Sequence, residues 1–104
     1  MPSPPTDIQS QSWDRFFAIQ CNNRAWDLAG RVRSDEENIE MLNAAHAAAW
    51  HWSIVGTELH QMRAKMLVSR VHTLLGYGST ALAFATEVRC YFVGRDTPAW
   101  ELAF

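Results

Sequence analysis

The sequence predicts an all-α domain of antiparallel helical hairpins, four helices followed by the start of a fifth. Three observations lead there. Apolar residues recur at three- and four-residue spacing through most of the chain; Ser, Thr and Gly punctuate that pattern; and no two segments alternate with period two. Cys90-Tyr91-Phe92-Val93 could form a strand in isolation but has no partner run to pair with.

Residues 1–11 are rich in Pro, Ser and Gln and nearly devoid of apolar side chains, so a disordered leader is expected there and a single helical domain over 12–104. Ser12 is the expected N-cap of a first helix over 13–30. In it Trp13, Phe16, Phe17, Ile19, Ala25, Leu28 and Ala29 keep helical spacing, and Gly30 tolerates a left-handed end. Ser34 and Glu37 read as a capping box, and Asp35, Glu36 and Glu37 complement the positive end of the helix dipole. The second helix, 35–54, carries Ile39, Leu42, Ala45, Ala49 and Trp52 as one stripe, through an alanine run of high helix propensity.

Gly56 stops that helix and Thr57 caps a third over 58–75, with Leu59, Met62, Met66, Val68, Val71, Leu74 and Leu75, which ends at Gly76-Tyr77-Gly78. Ser79 is the expected cap of a fourth, 80–93, whose apolar residues include Ala81, Phe84, Val88 and Phe92. Short connections make neighbours antiparallel. Asp96, Thr97 and Pro98 open a fifth helix of about two turns, too short to be stable alone. Trp100, Leu102 and Phe104 are therefore expected to dock on the preceding hairpin, or to belong to a longer protein.

The 104 residues, 48% of them hydrophobic, suffice for one modest core. A formal charge of −2 argues against nucleic acid as a partner. Apolar stretches fall far short of the ~18–20 residues a membrane span needs, and the N-terminus lacks the pattern of a secretory signal. Cys21 and Cys90 belong to no C-x-x-C motif, so free thiols in a reducing, cytoplasmic setting are expected.

One internal period bears on family. On the tetratricopeptide template, Lys65, Val68, Ser69 and His72 take the W-x2-L-G-x2-Y positions, and Ala81 and Ala85 the A-x3-F positions, with Lys65 and Ala85 departing from the template. Ser69 and Ala81 are the small residues where two helices must approach closely. Residues 62–95 thus resemble one degenerate tetratricopeptide unit, with 96–104 opening another. The stretches 44–57 and 69–76 are similar to small bacterial proteins of tetratricopeptide-like helical fold with no established activity. The resemblance implies a helical array whose concave groove takes extended or C-terminal peptide segments.

Chemistry-bearing residues are sparse. His46 and His51 are five apart, about 140° around a helix, whereas paired ligands on one helix need separations of three or four, so neither a metal nor another cofactor is expected. No serine sits in a nucleophile elbow and neither cysteine is in an activating motif, which argues against an enzyme. In Trp50-His51-Trp52 adjacent residues diverge by about 100°, so one indole must lie at a boundary. His46, Trp50 and His51 are accordingly candidates for a small-ligand pocket or a homo-oligomer contact, and the alternative to an interaction module is a helical bundle that binds a small ligand or metal near them. Arg63 and Arg70, seven apart, share one helical face with Met66 and Thr73. By the resemblance, Arg63, Met66, Arg70 and Thr73 line the groove. Two guanidinium groups there favour an acidic or C-terminal peptide as the partner.

Overall fold

The computed structural model describes residues 6–93 and 95. Four helices run through them: α1 (Asp7–Ala29), α2 (Asp35–Val55), α3 (Glu58–Leu74) and α4 (Gly78–Phe92). No strand occurs among the described residues, and consecutive helices pack as hairpins. The expected fifth helix, 96–104, lies outside the described residues.

α1 departs most from expectation. It starts at Asp7 rather than near residue 13, because Thr6 and Gln9 cap it reciprocally. The Thr6 hydroxyl accepts from the Gln9 amide at 3.1 Å, and the Gln9 side-chain oxygen accepts from the Thr6 amide at 2.8 Å. Residues 7–11 therefore belong to the helix and not to a leader; residues 1–5 are outside the described part. At its other end Gly30 has φ −87°, so no left-handed residue is used. The Arg33 guanidinium closes this corner instead, donating to the carbonyls of Leu28 (3.1 Å) and Arg31 (2.8 Å) and to the Asn38 side chain (2.7 Å).

α2 is held at its start by the Ser34–Glu37 capping box. Its end at Gly56 is set by space. A Cβ on Gly56 would lie 2.6 Å from the Trp52 carbonyl and 2.8 Å from the His60 Cβ. There the Trp52 indole stacks on the His60 ring, centroids 4.4 Å apart and planes 5° from parallel. Thr57 caps α3, with His60 Nδ1 accepting from the Thr57 amide at 3.1 Å.

α3 ends in a Schellman turn. Gly76 takes φ +81°, Tyr77 N–H donates to the His72 carbonyl (2.8 Å) and Gly76 N–H to that of Thr73 (3.1 Å). This turn hands the chain directly into α4 at Gly78, so Ser79 lies inside the first turn rather than capping it. Tyr77 occupies the cap without a side-chain bond.

The main core joins Ala25 and Leu28 of α1, Met41, Ala44 and Ala45 of α2, and Leu67, Val68 and Val71 of α3. A second cluster gathers Ala18, Ala48, Trp52 and Ala64, and a third Met66, Val88 and Phe92. The rings that keep helical spacing at the start of α1 lie outside the core: Trp13 is 58% exposed, Phe16 48% and Phe17 43%. Alanines at 18 and 25 let α1 come so close to its neighbours that large side chains are displaced to its flanks. For the same reason Ile39 of α2 is exposed while Met41, Ala44 and Ala48 are buried.

Among the described residues α1 packs on α2 and, over a smaller surface, on α3; α2 packs on α3; and α4 packs on α3 alone. A closed four-helix bundle would bring its first and last helices together. Here the hairpins form an open array. No helix among the described residues is long and apolar enough to cross a membrane.

Candidate partner-binding surface

α3 carries the four residues that sequence spacing places on one face, and the structure divides them between two hollows. Arg63 and Met66 border a 350 Å³ hollow whose opposite wall is Asn22 and Trp26 of α1. Arg70 and Thr73 border a separate 430 Å³ hollow against α4, with Ser69, Ala81, Leu82 and Ala85. Ser69 belongs to the second: its hydroxyl donates to the Ala81 carbonyl at 2.8 Å, holding α4 against α3 there.

The roles of the four differ accordingly. Met66 is only 3% exposed and packs with Val88 and Phe92, so it forms a floor rather than a protruding contact. The Thr73 hydroxyl donates to the Ser69 carbonyl at 3.0 Å and is committed to its own helix. Arg70 is exposed and makes no ion pair with a described residue, whereas Lys65 pairs with Glu87. Arg63 and Met66 thus border one hollow along α3, and Arg70 and Thr73 the other.

His46, Trp50 and His51 do not converge either. His51 Nδ1 lies 2.8 Å from Asp14 Oδ1 and its ring rests near Phe17, so it faces α1. His46 faces α3, its ring perpendicular to that of His72 with centroids 5.2 Å apart. Burial and the neighbouring His72 push the His46 imidazole below its ordinary pKa. Trp50 is 67% exposed. Three positions spread over about 140° of helix must look in different directions. Among the described residues no three His, Cys, Asp or Glu side chains gather as a metal ion would need.

Spacing along α3 could not reveal what α1 adds. Trp26 is 43% exposed beside Asn22, so an indole and a primary amide line the α1–α3 hollow together with Arg63. The available signal was the excess of aromatic residues in α1. Trp13, Phe16, Phe17 and Trp26 span too wide an arc to be buried by one neighbour.

On α1's other flank, Arg24 forks onto Glu40 of α2 and also pairs with Asp27. The Glu40 carboxyl is held below its ordinary range chiefly by that hydrogen bond. Cys21 is half-buried, which raises its thiol pKa, and Cys90 is exposed; both are free thiols.

Compared with known proteins, the chain matches no family model, no curated protein and no solved structure.

Proposed function

We propose that this protein is a non-catalytic interaction module, tetratricopeptide-like in build, that holds a peptide segment in the hollow between α1 and α3. The observation that carries this reading is the pairing of Trp26 and Asn22 with Arg63 and Met66 around one concave space. An exposed indole supplies rigid apolar contact at small entropic cost, an amide can donate and accept, and a guanidinium grips a carboxylate bidentately. That combination suits an acidic segment, or a chain terminus whose last side chain is apolar. The open array supports the same reading, because α1 and α3 stand side by side with their outer faces available. The hydroxyls of Ser53 and Ser69 are committed to backbone carbonyls, which fits a role without a nucleophile. The free thiols fit a cytoplasmic setting.

The test is fluorescence anisotropy with a panel of short peptides ending in free carboxylates, each compared with its amidated form. Wild type should prefer the carboxylates and bind more weakly as salt rises. Arg63→Glu and Trp26→Ser should each lower affinity on the order of tenfold or more while far-UV circular dichroism stays unchanged. Equal affinity of wild type and both variants for every peptide would end this reading.

A further inference from the structure

His46 of α2 and His72 of α3 meet edge to face, and the chemistry of the two rings differs. His72 is 7% exposed, beside the rings of Tyr77 and Phe84. Its Nδ1 lies 2.7 Å from the Val68 carbonyl, which can only accept, so in the neutral ring Nδ1 carries the hydrogen and Nε2 the lone pair. That Nε2 makes no hydrogen bond with a described residue, so a buried acceptor is left unsatisfied. A metal-binding histidine is built in this way, with one ring nitrogen anchored on a carbonyl and the other free to coordinate.

The spacing of the pair agrees. The ring centroids are 5.2 Å apart. A tetrahedral zinc ion about 2.1 Å from one nitrogen of each ring sets the two centroids about 5 Å apart, whereas the right angle of a square-planar ion draws them closer. His46 is exposed, so water reaches the site from its side. The other two imidazoles are committed elsewhere, His51 to Asp14 and His60 to the Thr57 amide. Spacing within one helix could not reveal the pair, because its members lie on different helices.

We propose that His46 and His72 together bind one zinc ion that bridges α2 and α3. Among the described residues no third His, Cys, Asp or Glu joins them, so water fills the remaining positions. The ion is therefore exchangeable, unlike a structural zinc enclosed by four protein ligands. Imidazole nitrogens suit zinc and pass over magnesium and calcium, which take oxygen ligands. Bound zinc ties α2 to α3 and stabilises the fold in proportion to its occupancy. Neither histidine lines the α1–α3 hollow, so this site and the peptide site stand or fall separately.

Calorimetric titration of chelator-treated protein with zinc chloride tests it, with melting temperature followed in parallel and magnesium chloride as the comparison. Wild type should bind one zinc ion per chain and melt higher as zinc rises, and magnesium should do neither. His46→Gln, at an exposed position, should keep its helicity by circular dichroism. It should lose more affinity than the ~10–100-fold that removal of an outer-shell partner costs, and its melting temperature should no longer respond to zinc. In nuclear magnetic resonance spectra of wild type, zinc should shift the imidazole signals of His46 and His72 and leave those of His51 and His60 in place. The proposal is overturned if wild type binds no zinc at millimolar concentration, if His46→Gln binds it as tightly as wild type, or if the shifted signals are those of His51 or His60.

Discussion

Ser69 and Ala81 meet across the α3–α4 seam through a hydrogen bond from the Ser69 hydroxyl to the Ala81 carbonyl, with both residues buried. Helix axes can approach this closely only where side chains are small. Ser69→Leu or Ala81→Leu should lower the free energy of unfolding by about 1–3 kcal/mol, the usual cost of overpacking. Ser69→Ala should cost less, about 0.5–1.5 kcal/mol, since only the hydrogen bond is lost. Urea unfolding of the three variants reads the order directly; an unchanged midpoint for either leucine would show that α4 can stand off from α3.

Two glycines should respond in opposite ways. A Cβ at Gly56 strikes the Trp52 carbonyl and the His60 Cβ, so Gly56→Ala should destabilise by about 1–3 kcal/mol. Nothing lies within 4 Å of a Cβ at Gly78, which does not have positive φ, and alanine suits the start of α4 better than glycine. Gly78→Ala should stabilise by about 0.4–1 kcal/mol. Melting temperatures that move in the same direction would contradict this assignment.

The lowered pKa of His46 makes stability depend on mildly acidic pH. Its folded-state pKa lies below the ordinary 6.5, so the unfolded chain binds the proton more readily. The contribution is complete above pH 6.5 and is lost as pH falls through that value towards the folded pKa. His46→Gln should flatten this part of the melting-temperature profile, and a profile identical to wild type between pH 7.5 and 5 would count against it.

Further acid loss comes from the α1–α2 corner. Glu37 is held low chiefly by the Ser34 amide and then by Arg31, and Glu40 chiefly by Arg24. Both folded pKa values lie below the ordinary 4.5, so their contribution is present above about pH 4.5 and disappears as pH falls further. Glu40→Gln should reduce the slope of stability against pH below 4.5 while leaving the His46 transition in place. Both carboxylates are well solvated, so the effect should shrink in high salt.

Helix ends could be read from sequence wherever a hydroxyl competes for the first amides, as at Ser34 and Thr57. Thr6 does the same, but it follows a Pro-rich stretch, and Gln9 is a fainter partner than an acid. The buried line of α1 was hidden for a different reason. Periodicity identifies a face but not which residue along it sits at the closest approach, and Ala18 and Ala25 won that position over larger neighbours. On α3, spacing places Arg63 and Arg70 on one helical face. It carries no information about the Ser69–Ala81 bond that holds α4 beside them, or about Trp26 arriving from another helix. The divergence of His46, Trp50 and His51 was present in their spacing from the outset.

Because α4 rests on α3 alone among the described helices, its amides have the thinnest shelter of the four. Local opening should release α4 as a unit well before the core of Leu67, Val68 and Val71 gives way, so native-state hydrogen exchange should show α4 exchanging faster than the middle of α3. Such an opening bares Met66 and the Ser69 hydroxyl together. The floor of the α1–α3 hollow is thereby tied to the attachment of a helix that takes no part in lining it.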